Sequence, residues 1–182
     1  MRYDVVIIGG GLAGMTAGVE LQKAGLSSIV VAGGGSLHTT PSEEYSALGG
    51  VVLRGDFAVG GEWDGCSLKQ VYTKNLGSTP LQAPVFILAT GKFFSRGLIS
   101  TMDGICEPVF GCDVEYDHDR THWVDPDFFR PQPFEEFGVV TDGQGHVMIG
   151  GRCAENLYAI GEILAGKVDI VESARQICRR LI

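Results

Sequence analysis

The first fourteen residues constrain the fold more than any other part of the chain. Residues 3–8 form a short apolar run of the kind found in buried strands, and Gly9, Gly11 and Gly14 follow it in the pattern Gly-x-Gly-x-x-Gly. Residues 15–24 then have the pattern of an amphipathic helix. In such a unit the first glycine permits a tight turn, the second lets the backbone approach a pyrophosphate, and the third allows the helix to pack closely on the strand. The order of these parts predicts a dinucleotide-binding βα turn, whose helix N-terminus offers N–H groups to phosphate.

Length and charge limit the class of protein to which this turn belongs. The 182 residues fit a single domain, residues 1–182, with enough apolar content (45%) for its own core. A net charge of −8 argues against nucleic acid or an anionic membrane surface as a direct partner, because both require clustered cations. No apolar run approaches the ~20 residues of a membrane span, so we expect a cytoplasmic chain that reaches a membrane only through another subunit.

The five cysteines do not form a recognisable metal or disulfide pattern. Their number is odd, and no Cys-x-x-Cys pair occurs among Cys66, Cys106, Cys112, Cys153 and Cys178. We therefore predict small, reduced core residues.

The second strand of the unit, predicted at residues 28–31, lacks an expected feature. Dinucleotide-binding folds place an Asp or Glu at its end to hold the adenosine ribose, but residues 32–35 are Ala-Gly-Gly-Gly. Backbone groups near Gly33 or the hydroxyl of Ser36 are the alternatives for that contact. Residues 37–48 are polar and poorly periodic, and we predict a loop there.

A β-element is predicted in the middle of the chain. Residues 50–56 and the alternating residues 67–74 flank Asp64 and Gly65, a strong turn signal, which predicts a hairpin or meander.

Two further apolar strands end in small residues. Residues 84–88 run into Ala89, Thr90 and Gly91, and residues 156–160 run into Gly161 and Glu162. Ligands of open α/β sheets bind beyond the carboxyl ends of the strands, so we expect these ends to converge on one cofactor. The carboxylate of Glu162 could accept a hydrogen bond from a ribose or ribityl hydroxyl. The predicted fold is thus α/β, a Rossmann-like dinucleotide-binding fold with a parallel sheet and a β-meander insertion.

Several segments closely resemble one family, the B subunit of bacterial anaerobic glycerol-3-phosphate dehydrogenase. The aromatic-rich pattern Phe-Phe-x-Pro-Gln-Pro at residues 128–133 is the most specific of them. The similar segments are residues 9–14, 33–38, 91–98, 107–114, 127–139 and 157–161. That family shares the missing acid after the second strand.

The resemblance implies a flavoprotein subunit, with FAD expected from the fold and FMN from the family. It further implies a catalytic flavoprotein subunit and an iron–sulfur subunit as partners, oxidation of glycerol 3-phosphate to dihydroxyacetone phosphate, and electron transfer toward menaquinone at the membrane. Fold and resemblance together give these candidate cofactor-binding residues: Gly9, Gly11, Leu12, Ala13, Gly14, Gly33, Ser36, Ala89, Thr90, Gly91, Gly161 and Glu162.

The chain departs from that family in two places. A large middle region expected between about residues 38 and 48 is absent, which would remove an inserted cap domain. The glycine-rich turn that precedes the last helix in the family is also absent, since residues 166–172 lead directly into residues 173–177. The missing acid after the second strand and the missing late glycine turn remove contacts at both ends of the cofactor, so we expect weak retention of the flavin.

Other candidate chemistry is sparse, and no catalytic residue is identified. Lys92, Arg96, Arg130 and Arg152 could hold a phosphate or tune a reduced flavin, but solvated surface charges are the simpler interpretation. His118 and His122 have helical spacing beside three aspartates, but Pro126 and the composition favour a loop, and no metal site is predicted. His38 and His146 are interpreted as isolated surface residues.

The sequence therefore predicts a flavin-dependent redox subunit. Two alternatives remain open: a non-catalytic subunit that docks the dehydrogenase or relays electrons, and a nicotinamide-dependent reductase.

Overall fold

The computed structural model describes residues 1–33 and 39–182. The helices in these ranges are α1 (Leu12–Lys23), α2 (Thr39–Ala47) and α3 (Ile170–Leu181). The strands are β1 (Val5–Ile8), β2 (Ser28–Ala32), β3 (Val51–Arg54), β4 (Ala58–Asp64), β5 (Ser67–Thr73), β6 (Leu81–Gln82), β7 (Val85–Leu88), β8 (Ile99–Ser100), β9 (Ile105–Cys106), β10 (Val114–Glu115), β11 (Gly138–Val139), β12 (His146–Ile149) and β13 (Arg152–Ala159). None of the helices in the described ranges is long and apolar enough to cross a bilayer.

Six strands form the central sheet, in the order β12-β13-β7-β1-β2-β3. Strand β1 lies inside the sheet and pairs in parallel with β2 on one side and with β7 on the other. Strands β3 and β13 continue the parallel pairing outward, and β12 adds an antiparallel edge to β13. The predicted α/β class and parallel sheet are therefore confirmed.

The inner strands β1, β2 and β7 of the sheet are buried on both faces. Val5 and Ile7 of β1 contribute to a core shared with the helices, whereas Val6 and Ile8 contribute to a core shared with the antiparallel strands. Helices α1 and α3 pack against each other on the first face. Strand β5 lies against β13 on the second face. Burial on both faces explains why β1, β2 and β7 are nearly continuous apolar runs rather than alternating ones.

The β-meander is confirmed, but its first strand differs from the prediction. Strands β4, β5 and β6 form a three-stranded antiparallel sheet, with the turn between β4 and β5 immediately after Asp64. Residues 50–56 do not belong to it, because β3 pairs in parallel with β2 instead. The physical reason is that Val51 to Leu53 lie beside Ile29 to Val31 and extend the main sheet, which a purely local pattern could not reveal.

The loop predicted at residues 37–48 is wrong for the described part, which contains helix α2. Tyr45 is fully buried, and its hydroxyl donates a hydrogen bond to the carbonyl of Ser28 at 2.7 Å. Gly18 of α1 and Gly50 make room for the ring, since a Cβ at either position would overlap it. The buried Tyr45 side chain thus stabilises α2 by tertiary contacts, although the sequence of α2 does not have a clear helical pattern. The proline at position 41, near the helix N-terminus, was a usable signal.

Candidate functional site

The carboxyl end of β1 leads directly into the N-terminus of α1, and the three glycines of the turn have distinct steric roles. Gly9 has a φ of +119°, and a Cβ there would overlap the backbone carbonyl of Ala89. A Cβ on Gly14 would overlap the carbonyl oxygen of Gly9, so the helix can approach the turn only with glycine at this position. Gly11 differs from both, because a Cβ there would have no heavy atom of the described residues within 4 Å. Its surroundings are open space.

The N-terminus of α1 has the features that suit an anion. Gly11 is its N-cap, no side chain caps the first turn by a hydrogen bond, and no acidic residue lies in that turn. The first N–H groups of a helix, here beginning at Leu12 and Ala13, have no partner within the helix. Together with the helix dipole they create a partial positive charge of about half an elementary unit beside Gly11. A phosphate is the ligand that this arrangement suits best.

Two more strand ends meet the turn, as the sequence predicted. Ala89 follows β7 and donates its N–H to the carbonyl of Ile8 at 2.7 Å. Gly161 follows β13, and a Cβ there would lie 2.5 Å from the Cβ of Ala13. The side chain of Glu162 approaches Gly91, with Oε2 at 3.8 Å from the position of a Cβ there.

Helix α3 stabilises the strand end at Gly161. The hydroxyl of Ser173 accepts a hydrogen bond from the N–H of Gly161 at 2.9 Å, and Asp169 caps α3 by accepting one from Glu172 N at 2.9 Å. The structure therefore brings together the candidate residues at three of the four predicted strand ends, and their contact with a cofactor remains a prediction.

The fourth strand end, after β2, is built differently. The Phe57 ring covers Gly33, and a Cβ on Gly33 would lie 2.7 Å from Cδ1 of that ring. The nearby carboxylate of Asp56 is buried and accepts hydrogen bonds from Thr73 Oγ1, Phe57 N and Asn75 N, at 2.6 to 2.9 Å. It is thus committed to the fold and is no substitute for the missing ribose-binding acid. Ser36, the other candidate for this contact, lies outside the described residues.

Thr90 lies at the expected strand end but does not present its hydroxyl to the site. Among the buried side-chain oxygens and nitrogens of the described residues, its Oγ1 is the one that lacks a hydrogen-bond partner. A Cβ on Gly97 would lie 2.7 Å from this oxygen. A ligand would reach it only if the turn between Gly91 and Gly97 moved.

Two of the four cations singled out in the sequence, Lys92 and Arg130, have partners within the protein. Lys92 donates a hydrogen bond to the carbonyl of Glu135, and burial lowers the pKa of its ammonium group. Arg130 lies 3.4 Å from Asp127 in an ion pair. Solvation or pairing on the protein surface, the simpler interpretation, describes Arg130 well.

The cysteine prediction is correct for only two of the five residues. Cys112 and Cys178 are buried, and desolvation raises the pKa of the Cys178 thiol to about 12. Cys66 and Cys153 are half-buried, and Cys106 is exposed. A sequence pattern without Cys-x-x-Cys spacing cannot separate these environments, because burial depends on the partner strands.

Two cavities lie away from the glycine turn. The larger, about 590 Å³, is lined by acidic residues, aromatic rings and prolines: Glu115, Tyr116, Asp117, Pro131, Gln132, Pro133, Glu136, Phe137 and Gly166. A second cavity of about 250 Å³ lies beside it, between β11 and the residues after β13. Three carboxylates and no cation among the lining residues make the larger cavity unsuitable for an anionic ligand.

A Rossmann-like sheet whose strand ends converge on an open, uncapped helix N-terminus defines a nucleotide-binding domain of the flavoprotein type. The chain belongs to the family described as FAD binding domain, whose model matches residues 4–43 and 37–177. Within that class it is similar to the B subunit of anaerobic glycerol-3-phosphate dehydrogenase from Pectobacterium atrosepticum, with 40% identity over 136 residues. The corresponding protein of Vibrio vulnificus is 40% identical over 135 residues. The resemblance predicted from the sequence is thereby confirmed.

The extent of these matches differs between this chain and its relatives. The aligned segments cover 75% and 72% of this chain but only 32% and 31% of the two relatives, so they span about a third of the relatives' length. Among solved structures, an oxidoreductase from Agrobacterium tumefaciens has a TM-score of 0.61 at 13% identity, covering 100% of this chain and 97% of that one. A thioredoxin reductase from Gloeobacter violaceus has a TM-score of 0.57 at 13% identity, covering 99% and 92%. Both likenesses show the fold alone.

Proposed function

We propose that this chain binds FAD at the N-terminus of α1 and acts as a flavin-dependent redox subunit. The observation that carries the proposal is the open space at Gly11, which lies beside unpaired helix N–H groups at the carboxyl edge of a parallel sheet. The family match supports FAD as the nucleotide. FMN stays a prediction from the family resemblance, and the comparisons do not support it.

The residues present fit the phosphate part of FAD better than its adenosine part. Gly11 leaves room for the pyrophosphate, and Glu162 offers an exposed carboxylate to a hydroxyl of the ligand. At the end of β2, however, Gly33 and the ring of Phe57 stand where an acid would hold the ribose. One or two lost charge-assisted hydrogen bonds cost about 1.5–3 kcal/mol each, so we expect binding weaker than micromolar.

We further propose that the complete complex oxidises glycerol 3-phosphate to dihydroxyacetone phosphate, and the similarity to anaerobic glycerol-3-phosphate dehydrogenases supports this. A bound flavin supplies hydride and electron transfer, and the protein supplies binding, orientation and electrostatics. Its partners would be a catalytic flavoprotein subunit and an iron–sulfur subunit. The chain would then be cytoplasmic, or peripheral at the membrane through one of those partners.

A second function is favoured by the charge of the larger cavity. Glycerol 3-phosphate is a dianion near neutral pH, and carboxylates of Glu115, Asp117 and Glu136 line the cavity, of which Glu136 is paired with Lys167 at 3.4 Å. Because like charges repel strongly in a partly enclosed space, the substrate would not bind there. This observation supports a subunit that docks the dehydrogenase or relays electrons, with the substrate bound elsewhere in the complex. A nicotinamide-dependent reductase has no comparable observation in its favour.

Titration of the purified chain with FAD and with FMN, followed by quenching of flavin fluorescence, tests the cofactor proposal. We expect saturable binding of FAD with a Kd above micromolar. Absence of saturable FAD binding at millimolar concentration would refute it. Bleaching of the bound flavin by glycerol 3-phosphate, without partner subunits, would favour catalysis by this chain. Bleaching only with the partners present would favour the relay.

A further inference from the structure

Three side chains with different ligand atoms converge at the edge of the sheet farthest from β3. Asp142 precedes β12, His146 is its first residue, and Cys153 lies on the neighbouring β13. The register of this strand pair shifts between His146 and Met148, and the shift brings residues 153 and 158 of β13 to the same group. The ligand atoms of Asp142, His146 and Cys153 all lie within 4.8 Å of one another.

The carboxylate of Asp142 is the centre of this cluster. Its Oδ2 lies 3.0 Å from His146 Nδ1 and 3.3 Å from Cys153 Sγ. Its other oxygen, Oδ1, accepts hydrogen bonds from the backbone N–H groups of Gln144 at 2.8 Å and His146 at 2.9 Å. One oxygen is thus fixed by the turn, and the other is directed at the two remaining ligands.

A hydrogen-bond partner also orients the imidazole of His146. Its Nε2 lies 2.9 Å from the hydroxyl of Tyr158, and the two rings are in contact, tilted by 35° with centroids 4.4 Å apart. Metal-binding histidines characteristically use the second ring nitrogen in such a bond, which fixes the ring and its tautomer. His146 is therefore not the isolated loop residue that the sequence suggested.

The separations suit a small thiophilic ion. Zinc binds Cys sulfur at about 2.3 Å, and His nitrogen and carboxylate oxygen at about 2.0–2.2 Å, so neighbouring tetrahedral ligands lie roughly 3.3–3.6 Å apart. The two distances from Asp142 Oδ2 are shorter by a few tenths of an ångström at most. Magnesium and calcium prefer all-oxygen sites, so the mixed O, N and S set selects against them.

A second histidine–carboxylate group among the described residues, around His122, does not have this geometry. His122 lies 3.0 Å from Asp117 through Nδ1 and 3.6 Å from Asp119 through Nε2. Because the two nitrogens point in different directions from the ring, these carboxylates cannot share one ion with a single ring nitrogen. That group is also more exposed, with 64% of the His122 side chain accessible against 21% for His146.

We propose that Asp142, His146 and Cys153 bind a divalent ion of the zinc class, with water in the fourth position. On binding, the thiol proton of Cys153 passes to solvent, and His146 binds through Nδ1 while its Nε2–H donates to the oxygen of Tyr158. The ion joins residues 142 and 146 to β13 and so clamps the antiparallel edge of the sheet. The proposal is independent of the flavin site, because it uses none of that site's residues.

Cobalt(II) added to the full-length, metal-free chain tests the proposal, because a cobalt–thiolate bond gives a near-ultraviolet charge-transfer band. We expect one equivalent to bind with this band and zinc to displace it. The band should be absent in Cys153→Ser, and affinity should fall at least about tenfold in His146→Gln. Cys106→Ser, which removes an exposed thiol elsewhere, and His122→Gln are the matched controls and should bind as the wild type does.

Thermal unfolding supplies a second measurement that also reports whether the variants fold. Zinc at 100 times its Kd should stabilise the wild type by about 2.7 kcal/mol and should not stabilise Cys153→Ser. If Cys153→Ser does not fold, the wild-type spectrum decides: a cobalt complex without the thiolate band overturns the proposal. Retention of the band in folded Cys153→Ser, or its loss in Cys106→Ser, overturns it equally.

Discussion

Alanine substitution at Gly11 and at Gly14 should separate nucleotide binding from folding. At Gly11 the backbone has φ −74° and ψ −172°, which alanine adopts freely, and an added Cβ meets no described heavy atom within 4 Å. Replacing glycine reduces the entropy of the unfolded chain, which stabilises by about 0.4–1 kcal/mol. Alanine is a poorer N-cap than glycine by roughly 0.5–1 kcal/mol, which offsets that gain. We therefore expect Gly11→Ala to change the free energy of unfolding by less than about 1 kcal/mol.

Gly14→Ala, in contrast, should lower the stability of the fold. Its Cβ would overlap the carbonyl oxygen of Gly9 and lie 3.1 Å from the carbonyl carbon. Gly9 cannot move away easily, because its N–H donates to the carbonyl of Val31 at 2.9 Å. Overpacking of this kind costs about 2–3 kcal/mol, which for a chain of this size lowers the Tm by roughly 4–12 °C.

The binding measurement uses the same two variants. In Gly11→Ala the new methyl group enters the space proposed for the pyrophosphate and holds it away from the helix N–H groups, so we expect the Kd for FAD to rise about tenfold or more. A tenfold change corresponds to about 1.4 kcal/mol. Circular dichroism melts and flavin fluorescence titrations are the assays. Unchanged FAD affinity in a folded Gly11→Ala would refute the placement of the phosphate, and an unchanged Tm in Gly14→Ala would refute the steric reasoning.

Further predictions concern reactivity and the core. In native protein at pH 8, iodoacetamide should modify exposed Cys106 well before buried Cys178. The reason is that desolvation raises the pKa of the Cys178 thiol to about 12 and keeps it protonated. Peptide mass spectrometry gives the order of modification, and equal rates would contradict this prediction. Tyr45→Phe should lower the free energy of unfolding by about 1–2 kcal/mol in urea denaturation, because the carbonyl of Ser28 loses its buried hydrogen-bond donor. A change below about 0.5 kcal/mol would contradict a stabilising role for this hydrogen bond.

The inner strands β1, β2 and β7 of the central sheet could be predicted from the sequence because they are buried on both faces. Such strands are continuous apolar runs, and glycines close to their carboxyl ends marked where they stop. Strand β3 and helix α2 could not be placed in this way. The former depends on pairing with β2, and the latter on Tyr45 reaching the carbonyl of Ser28, so both depend on contacts between distant residues.

In the candidate site, too, some features could be predicted from the local sequence and others depend on contacts between distant residues. The roles of Gly9 and Gly14 follow from the spacing of the motif, but the burial of Thr90 Oγ1 and the position of Phe57 do not. The grouping around Asp142 was equally hidden, because it depends on a register shift within an antiparallel strand pair.

The missing acid after β2 is coupled to the rest of the fold and is not a single exchanged side chain. Any residue larger than glycine at position 33 would have its Cβ 2.7 Å from Cδ1 and 3.0 Å from Cζ of Phe57. Phe57 is held in turn, because its N–H donates to Asp56 at 2.8 Å and its carbonyl accepts from Lys74 N at 2.9 Å. The backbone of Phe57, just before β4, is therefore fixed beside Gly33, and its exposed ring would have to move before a larger residue could fit at position 33. In the proposed FAD site, the open space at Gly11 would receive the phosphates, and the ribose would bind at the end of β2 without a carboxylate from position 33.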